Sequence, residues 1–144
     1  MTIVHKSVLQ NYSAEQMFAL VEDIEAYPSF LPWCDSVDVQ RDASRQTAIA
    51  SLSLNFFGIR QSFTTHNINV APASIKMRQV NGPFRKLNGQ WTFTVIDEKT
   101  CRVELHMNYE FSHFFMEKLI GPVFDIVTNS LVDAFCERAR KVYG

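Results

Sequence analysis

Residues 101–111 read Cys-Arg-Val-Glu-Leu-His-Met-Asn-Tyr-Glu-Phe, and this stretch decides the fold. Apolar and polar side chains alternate over all eleven residues. Because successive side chains of a strand point to opposite faces, the pattern predicts a strand with one face in the core and one in water. A sheet that is dry on one face and wet on the other is typical of antiparallel structure.

Six further strands are predicted before this one, from alternation or from β-branched composition. They are residues 3–9, 37–41, Thr47–Phe56, Ile59–Val70, 74–80 and 87–96. Gly58, residues 71–73 and residues 81–83 supply the turn chemistry between the later strands. The pattern does not decide which face of Ile59–Val70 points inward.

Two helices complete the predicted architecture. Ser13 and Gln16 form a capping box for a helix over residues 14–25, which we expect Pro28 to end. Residues 114–142 have helical spacing of apolar side chains, with Gly121-Pro122 expected to kink the helix or restart it. One long helix is then the only element that can cover the sheet. The prediction is an α+β helix-grip fold, a curved antiparallel sheet wrapped around the C-terminal helix, in a single domain of residues 1–144.

A loop between the first helix and the sheet is unusually apolar. Residues 27–34 read Tyr-Pro-Ser-Phe-Leu-Pro-Trp-Cys, and the two prolines argue against a helix or a central strand. Four large side chains, of Tyr27, Phe30, Leu31 and Trp33, exceed what a connecting loop leaves in water. The loop therefore covers either the protein's own core or a cavity that holds a ligand.

Composition excludes several classes of protein. The net charge is −1 and the pI is about 6.4, which argues against a strongly basic nucleic-acid binder, and no DNA partner is expected. Three widely spaced cysteines without a Cys-x-x-Cys pair argue against a disulfide framework or a structural zinc site. With neither a signal peptide nor an apolar run of about eighteen residues, the expected location is the cytoplasm.

Enzyme chemistry has little support in the sequence. The two clearest strands direct their charged side chains to the wet face, and the four histidines lack the spacing of metal ligands. Glu22, Asp23 and Glu25 are interpreted as a solvated helix end. We therefore predict no catalytic residue, no metal site and no enzyme activity. A cyclase-like enzyme that uses Tyr109 or an inward polar group of Ile59–Val70 stays open as a remote alternative.

Several motifs together resemble a known family. They are the loop 27–34, Gly-Pro-Phe-Arg-Lys-Leu at 82–87, Trp91-x-Phe93, and Ala134-Phe135-x-x-Arg138-Ala139. Over nearly the whole chain they resemble the coenzyme Q-binding protein (Coq10/RatA) family of the START-like (SRPBCC, polyketide cyclase/lipid transport) superfamily. The resemblance implies a helix-grip fold with a deep apolar cavity that binds ubiquinone or a similar lipid in support of respiration. For the bacterial ribosome association toxins of this family, it implies binding to the large ribosomal subunit and a block of subunit association.

The resemblance and the apolar pattern together predict the binding residues. Those expected to contact the ligand are Tyr27, Phe30, Leu31, Trp33, Phe84, Leu87, Trp91, Tyr109, Phe124, Val127, Leu131 and Phe135. Burial of apolar surface contributes about 0.8 kcal/mol per CH₂, so apolar walls suffice for a prenyl tail. The alternative is that these side chains only pack against each other.

Arg85 and Lys86, beside Phe84, suit the phosphates of lipid headgroups or of rRNA, and Lys76 and Arg78 extend the patch. A solvated charged turn is the alternative interpretation.

Two functions follow as hypotheses. The first is a non-enzymatic carrier of ubiquinone or another polyprenyl lipid, with no cofactor besides that ligand and with transient contact to the inner face of the cytoplasmic membrane. The second is a ribosome-binding regulator that acts on the large subunit.

Overall fold

The structure, a computed structural model, describes residues 1–56 and 58–144. Seven strands, two α-helices and one 3₁₀ helix make up the described chain. In chain order they are β1 (Thr2–Gln10), α1 (Ala14–Glu22), the 3₁₀ helix (Ile24–Ser29), β2 (Cys34–Arg41), β3 (Thr47–Phe56), β4 (Ile59–Val70), β5 (Ser74–Asn81), β6 (Phe84–Asp97), β7 (Thr100–Phe111) and α2 (Phe114–Tyr143).

The strands form one sheet in the order β1-β7-β6-β5-β4-β3-β2. Every neighbouring pair is antiparallel, as the alternation in residues 101–111 predicted. All predicted strands are present; β2 begins at Cys34 and β6 at Phe84, each three residues earlier than expected. The predicted α+β helix-grip fold is confirmed.

The core lies between the inner face of this curved sheet and α2. On β7 the side chains of Cys101, Val103 and Leu105 are completely buried. The ring of Phe124 on α2 stands edge-on to that of Tyr109 on β7, with centroids 4.8 Å apart. Burial of large apolar side chains from both elements therefore fixes the helix in the sheet.

The long helix does not restart at Gly121-Pro122, one of the two expected alternatives, while a kink there stays a prediction. The helix continues because Pro122 lies on the exposed side, where water can satisfy the carbonyl that its ring leaves without a donor. Its buried side chains include Val132 and Ala139, while Val142 is exposed. The reason is that α1 and β1 cover a second flank of the helix.

By length and composition alone, α2 is the one helix in the described chain that could cross a membrane. An 18-residue window reaches a mean hydropathy of 1.4, although no run of eighteen apolar residues exists. In the fold, its buried side packs against the sheet, α1 and β1. This is the pattern of a core helix, since such helices pass the same test.

The first helix is shorter than predicted. The capping box is present: the Ser13 side chain accepts from the Gln16 backbone N–H at 3.1 Å, and the Gln16 side chain accepts from the Ser13 N–H at 2.9 Å. The helix ends at Glu22, since Asp23 leaves the helical region with ψ 67°. Pro28 does not end it. Pro28 lies inside the following 3₁₀ helix, so the expectation that residues 27–34 exclude a helix is wrong for its first part.

Arg41 fixes this 3₁₀ helix to the edge of the sheet. Its guanidinium donates to the Glu22 carbonyl at 2.9 Å and to the Glu25 carboxylate at 2.7 Å. The same hydrogen bond lowers the pKa of Glu25. Only 10% of the Arg41 side chain is exposed, whereas that of Glu25 is 54% exposed, so the bond to the Glu22 carbonyl is the more shielded of the two contacts that hold the segment.

Candidate ligand-binding site

A cavity lies between the inner face of the sheet and α2. Its volume is about 90 Å³, and its lining comes from β3 to β7, from α2 and from the segment after α1. The strands contribute mostly alternate, inward-pointing side chains, such as Leu52 and Leu54 of β3 and Met107 of β7. No charged side chain belongs to the lining within residues 1–56 and 58–144.

Two thirds of the predicted ligand-contact residues line this cavity. They are Tyr27, Trp33, Leu87, Trp91, Phe124, Val127, Leu131 and Phe135. They come from the 3₁₀ helix, the loop after it, β6 and α2, and the fold brings them together around one space. Whether a ligand contacts them stays a prediction.

One wall is formed by residues 24–34, which we name the lid segment. Inside it, the rings of Tyr27 and Phe30 both stand edge-on to Phe135 of α2, at 5.3 Å and 5.4 Å. The Arg138 guanidinium lies over the outer ring, Phe30, at 4.8 Å from its centroid. Phe30 therefore closes the aromatic cluster from outside and does not belong to the lining itself.

Hydrogen bonds hold the lid segment closed. The Tyr27 hydroxyl donates to the Val21 carbonyl, and burial raises the pKa of Tyr27, so the phenol stays neutral. At the far end, the Asn55 N–H of β3 donates to the Trp33 carbonyl at 2.9 Å. Leu31 is only 1% exposed but lies outside the cavity lining. The structure thus assigns Leu31 to the core rather than to the lining.

Phe84 and Tyr109 lie behind the lining, in a second aromatic cluster. Both rings pack on Phe124, with centroid distances of 5.0 Å and 4.8 Å. The Tyr109 hydroxyl donates to the Asp125 carboxylate, and burial together with this bond raises the pKa of Tyr109. Tyr109 therefore supports Phe124 from the side, and its phenol is engaged with Asp125.

The inward face of β4 is polar, which the sequence pattern left undecided. Residues directly opposite on antiparallel strands share a face, and Asn67 pairs with Ala48 while Thr65 pairs with Ala50. The four side chains are buried on the inner face, whereas Ile68 of the same strand is 42% exposed on the outer face. The sequence carries a signal for this face: Thr65 and Asn67 occupy alternate positions of β4, and β3, its neighbour, has alanines at alternate positions too. The alternation in hydrophobicity alone does not reveal it.

Arg85 and Lys86 lie apart from the cavity, at the start of β6. Phe84 pairs with Phe111 and Lys86 with Glu110, so Arg85 is the extra residue of a β-bulge. Both cationic side chains are exposed, and neither forms an ion pair with another described residue. On the outer face of the sheet, Arg78 pairs with Asn88, two residues from Lys86. Lys76, Arg78 and Lys86 thus lie on the outer face of neighbouring strands, and Arg85 is exposed beside them in the bulge.

The first half of α2 presents an apolar surface to solvent. Phe115, Leu119, Pro122 and Ile126 follow at helical spacing on its outer side, and we name them the outer apolar face. Phe115 is 72% exposed and Ile126 is 69% exposed. The outer side of the second half is polar. An exposed apolar stripe of this kind is typical of an interaction surface.

Metal ligation has no visible basis in the described chain. No three His, Cys, Asp or Glu side chains of residues 1–56 and 58–144 lie close enough together to hold a metal ion. The lining offers aromatic rings, aliphatic side chains and a few uncharged polar groups. Its chemistry is that of an apolar ligand pocket.

Comparison with known proteins agrees with this architecture. Residues 11–136 match the family described as polyketide cyclase / dehydrase and lipid transport. The chain belongs to this family. Within it, the chain is 43% identical to the ribosome association toxin RatA of Vibrio cholerae, over 98% of this chain and 97% of the relative. It is 38% identical to that of Pseudomonas aeruginosa, over 99% of both. The resemblance drawn from the motifs is confirmed.

A more distant relative is the mitochondrial coenzyme Q-binding protein COQ10 of Drosophila melanogaster. It is 24% identical over 96% of this chain and 59% of the relative. Among solved structures, the Zhui aromatase/cyclase from Streptomyces matches with a TM-score of 0.83 at 14% identity, over 99% of this chain and 96% of that one. Protein CC1736 from Caulobacter crescentus matches with a TM-score of 0.76 at 26% identity, over 100% and 99%. The family fold therefore includes enzymes as well as proteins named for toxicity or binding.

Proposed function

We propose that this protein binds an apolar ligand without transforming it, and that the ligand is ubiquinone or another polyprenyl lipid carried in support of respiration. The observation that carries the proposal is the uncharged, mainly apolar cavity between the sheet and α2. Its walls are the aromatic and aliphatic side chains that the motifs of the family predicted. The distant similarity to a coenzyme Q-binding protein supports the choice of ligand class.

The cavity volume implies that the lid segment moves when a lipid binds. About 90 Å³ is less than the roughly 150 Å³ of an engineered cavity that admits benzene. A substituted quinone ring is larger than benzene, and a prenyl tail is larger still. The ligand must therefore displace the Tyr27 and Phe30 rings from Phe135, and burial of its own apolar surface compensates for these contacts.

The proposal that the protein is not an enzyme rests on the same lining. General acid or base catalysis needs an ionisable group within hydrogen-bond reach of the substrate. The phenol of Tyr27 donates to a backbone carbonyl, and that of Tyr109 donates to Asp125 behind the cavity wall. Neither phenol is poised for proton transfer into the cavity, and relatives at 38–43% identity are named as toxins.

Mass spectrometry of an organic extract tests the ligand directly. The protein is purified gently from its native host, and we expect a stoichiometric quinone or other prenyl lipid in the extract. In the Trp33→Ala and Leu131→Arg variants we expect this lipid to be lost while the circular dichroism spectrum is unchanged. Asn129→Arg, at an exposed position in the polar half of the same helix, is the matched control. Equal lipid content in all four proteins would argue against this cavity as the site.

A carrier of lipid has to reach a membrane, and we propose that the outer apolar face makes this contact, transiently, at the inner face of the cytoplasmic membrane. Lys118 flanks the face and lies 5.1 Å from the Phe114 ring centroid, a suitable neighbour for anionic headgroups. We expect flotation with vesicles of phosphatidylethanolamine and phosphatidylglycerol, and loss of flotation in Phe115→Lys. Asn129→Lys adds the same charge to the polar half of the helix and should float normally.

A second candidate function is binding to the large ribosomal subunit with a block of subunit association. It is favoured by relatives named ribosome association toxins, at 38–43% identity over nearly the whole chain. The outer-face cations Lys76, Arg78, Arg85 and Lys86 supply a surface suited to rRNA phosphates. This role and ligand binding use opposite faces of the sheet and do not exclude each other.

Sucrose-gradient cosedimentation with purified 50S subunits tests this candidate. We expect the wild-type protein to migrate with the subunits and the Arg85→Glu/Lys86→Glu variant to stay at the top. Lys99→Glu, in the hairpin between β6 and β7, is the charge-reversal control. A wild-type protein that never cosediments, at low salt as well as at physiological salt, refutes the candidate.

A further inference from the structure

Polar side chains occur in the cavity at only a few places, and their hydrogen bonds can be followed one by one. Thr65, Asn67 and Thr128 line the cavity and are at most 4% exposed. The Thr65 hydroxyl donates to Asn67 Oδ1 at 2.8 Å, and the Thr128 hydroxyl donates to the Asp125 carbonyl at 3.1 Å. Both threonine protons are therefore used inside the protein.

The amide of Asn67 is different, because its donor side is unused. Its Oδ1 accepts from Thr65, but its Nδ2 donates to no other described residue. An unused N–H in a buried place costs more free energy than an unused lone pair. Asn67 is flanked in the sheet by Ala48 on β3 and Met77 on β5, and the small alanine leaves room for a ligand atom.

The other hydrogen-bonding groups of the lining point to the same ligand chemistry. Trp33 and Trp91 each carry an indole N–H, which is a donor only. The cavity thus combines apolar walls with residues that carry N–H donors, and no carboxylate belongs to its described lining. A ligand that presents an acceptor oxygen fits this lining better than a pure hydrocarbon does.

We propose that Asn67 determines specificity: its Nδ2 donates a hydrogen bond to a carbonyl oxygen on the head of the bound ligand. This inference rests on the proposed function, because it requires that a ligand enters this cavity. It adds the chemical class of the head group, a ring or chain carbonyl as in a quinone, and the residue that recognises it.

Quenching of tryptophan fluorescence provides the assay. The chain has two tryptophans, and both line the cavity, so a quinone bound there quenches the whole signal. The probes are decylubiquinone, which carries carbonyls, and decylbenzene, which carries none and is measured by its displacement of decylubiquinone. The variants are Asn67→Leu, which is close in size but apolar, and Thr65→Val, which leaves the Asn67 amide in place.

In Asn67→Leu we expect decylubiquinone to bind about tenfold more weakly, which is the loss expected for one buried hydrogen bond. Decylbenzene should bind to this variant as it binds to the wild type. Thr65→Val should keep the quinone affinity within about threefold, since the donor remains. Asn67→Leu also leaves the Thr65 hydroxyl without its acceptor, so we expect a lower urea midpoint for this ligand-free variant. The double variant Asn67→Leu/Thr65→Val has no such unpaired hydroxyl, and it should regain the midpoint while it keeps the tenfold loss of quinone affinity. A purely structural Asn67 predicts that the quinone affinity returns together with the midpoint.

Three results would overturn the inference. The first is an equal loss of affinity for both probes in Asn67→Leu, and the second is wild-type affinity for both probes in that variant. In both cases the cavity still binds ligands, so the proposed function survives. The third is a wild-type protein that binds neither probe, which refutes the proposed function together with the inference. Should Asn67→Leu not fold, Asn67→Ala carries the same comparison.

Discussion

Replacement of Phe135 by alanine tests the packing that closes the cavity. Phe135 lies in the second half of α2, is 1% exposed and lines the cavity. Three rings stand edge-on to it: those of Tyr27 and Trp91 at 5.3 Å and that of Phe30 at 5.4 Å. The truncation therefore removes the side chain that joins the lid segment to the helix.

The expected cost follows from this environment. Phe→Ala in a packed core costs about 3–5 kcal/mol, which combines lost burial with the cavity left behind. Edge-to-face aromatic pairs contribute about 0.5–1.5 kcal/mol each beyond burial, and Phe135 makes three, so the upper half of the range applies. Domains of this size have a stability of roughly 5–15 kcal/mol, so the variant should fold. Its melting temperature should fall by roughly 8–20 °C.

The matched control is Phe115→Ala, because the same residue type on the same helix is 72% exposed. We expect its free energy of unfolding to stay within about 0.5 kcal/mol of the wild type. Urea denaturation followed by circular dichroism measures both variants. Equal losses of stability in the two variants, or no loss in Phe135→Ala, would refute the packing argument.

Three further predictions concern the periphery of the site. Ser13→Ala removes the capping-box acceptor of α1 and should lower the free energy of unfolding by about 1 kcal/mol in urea titrations; an unchanged midpoint contradicts the cap. Burial raises the pKa of Cys34 to about 11 from 9, so iodoacetamide should modify it roughly a hundredfold more slowly at pH 8 than in the urea-unfolded chain, as quantified by peptide mass spectrometry. The Arg41 hydrogen bond lowers the pKa of Glu25, so its contribution to stability is present above about pH 4.5 and is lost as the pH falls below that value. Unfolding measured at pH 7 and pH 4 should therefore show a smaller pH effect in Arg41→Met than in the wild type.

The sheet could be predicted from the sequence because its signals are local. The alternation in residues 101–111 fixes one strand, and the turns between the later strands are short enough to make each neighbour antiparallel. The C-terminal helix follows from its spacing, since only one long element remains to cover the dry face. Six of the predicted ligand-contact residues line the cavity for the same reason: inward positions of β6 and α2 converge on one core. Tyr27 and Trp33 reach it from the lid segment.

The polar residues of the cavity could not be predicted in this way. Asn67 and Thr65 alternate with His66 and Ile68, so hydrophobicity alone favours the wrong face of β4 or neither. The face is set by register with β3, where Ala48 points inward. Register is a tertiary property, and where function requires a buried polar group the local pattern and the fold disagree.

The lid segment shows the same limit for local structure. Proline was expected to exclude helix from residues 27–34, yet Pro28 lies within a 3₁₀ helix. A short 3₁₀ helix loses only one hydrogen bond to a proline. Arg41 of β2, 16 residues after Glu25 and 19 after Glu22, adds contacts to both residues and so holds the segment from outside. The stabilising partner is distant in the chain, so propensity could not identify it.

The small volume of the cavity and the tight lid segment together determine how a ligand would bind. A protein whose binding-competent state is only a fraction of the population has an affinity reduced by that fraction. Opening of the lid segment separates Tyr27 and Phe30 from Phe135, which costs about 0.5–1.5 kcal/mol for each aromatic pair. The open state is therefore a minor one before the ligand binds. Variants that loosen these pairs without touching the rest of the lining should raise the rate of ligand exchange. Under the proposed function, the aromatic cluster sets the exchange rate, while the lining, Asn67 included, sets the preference among ligands.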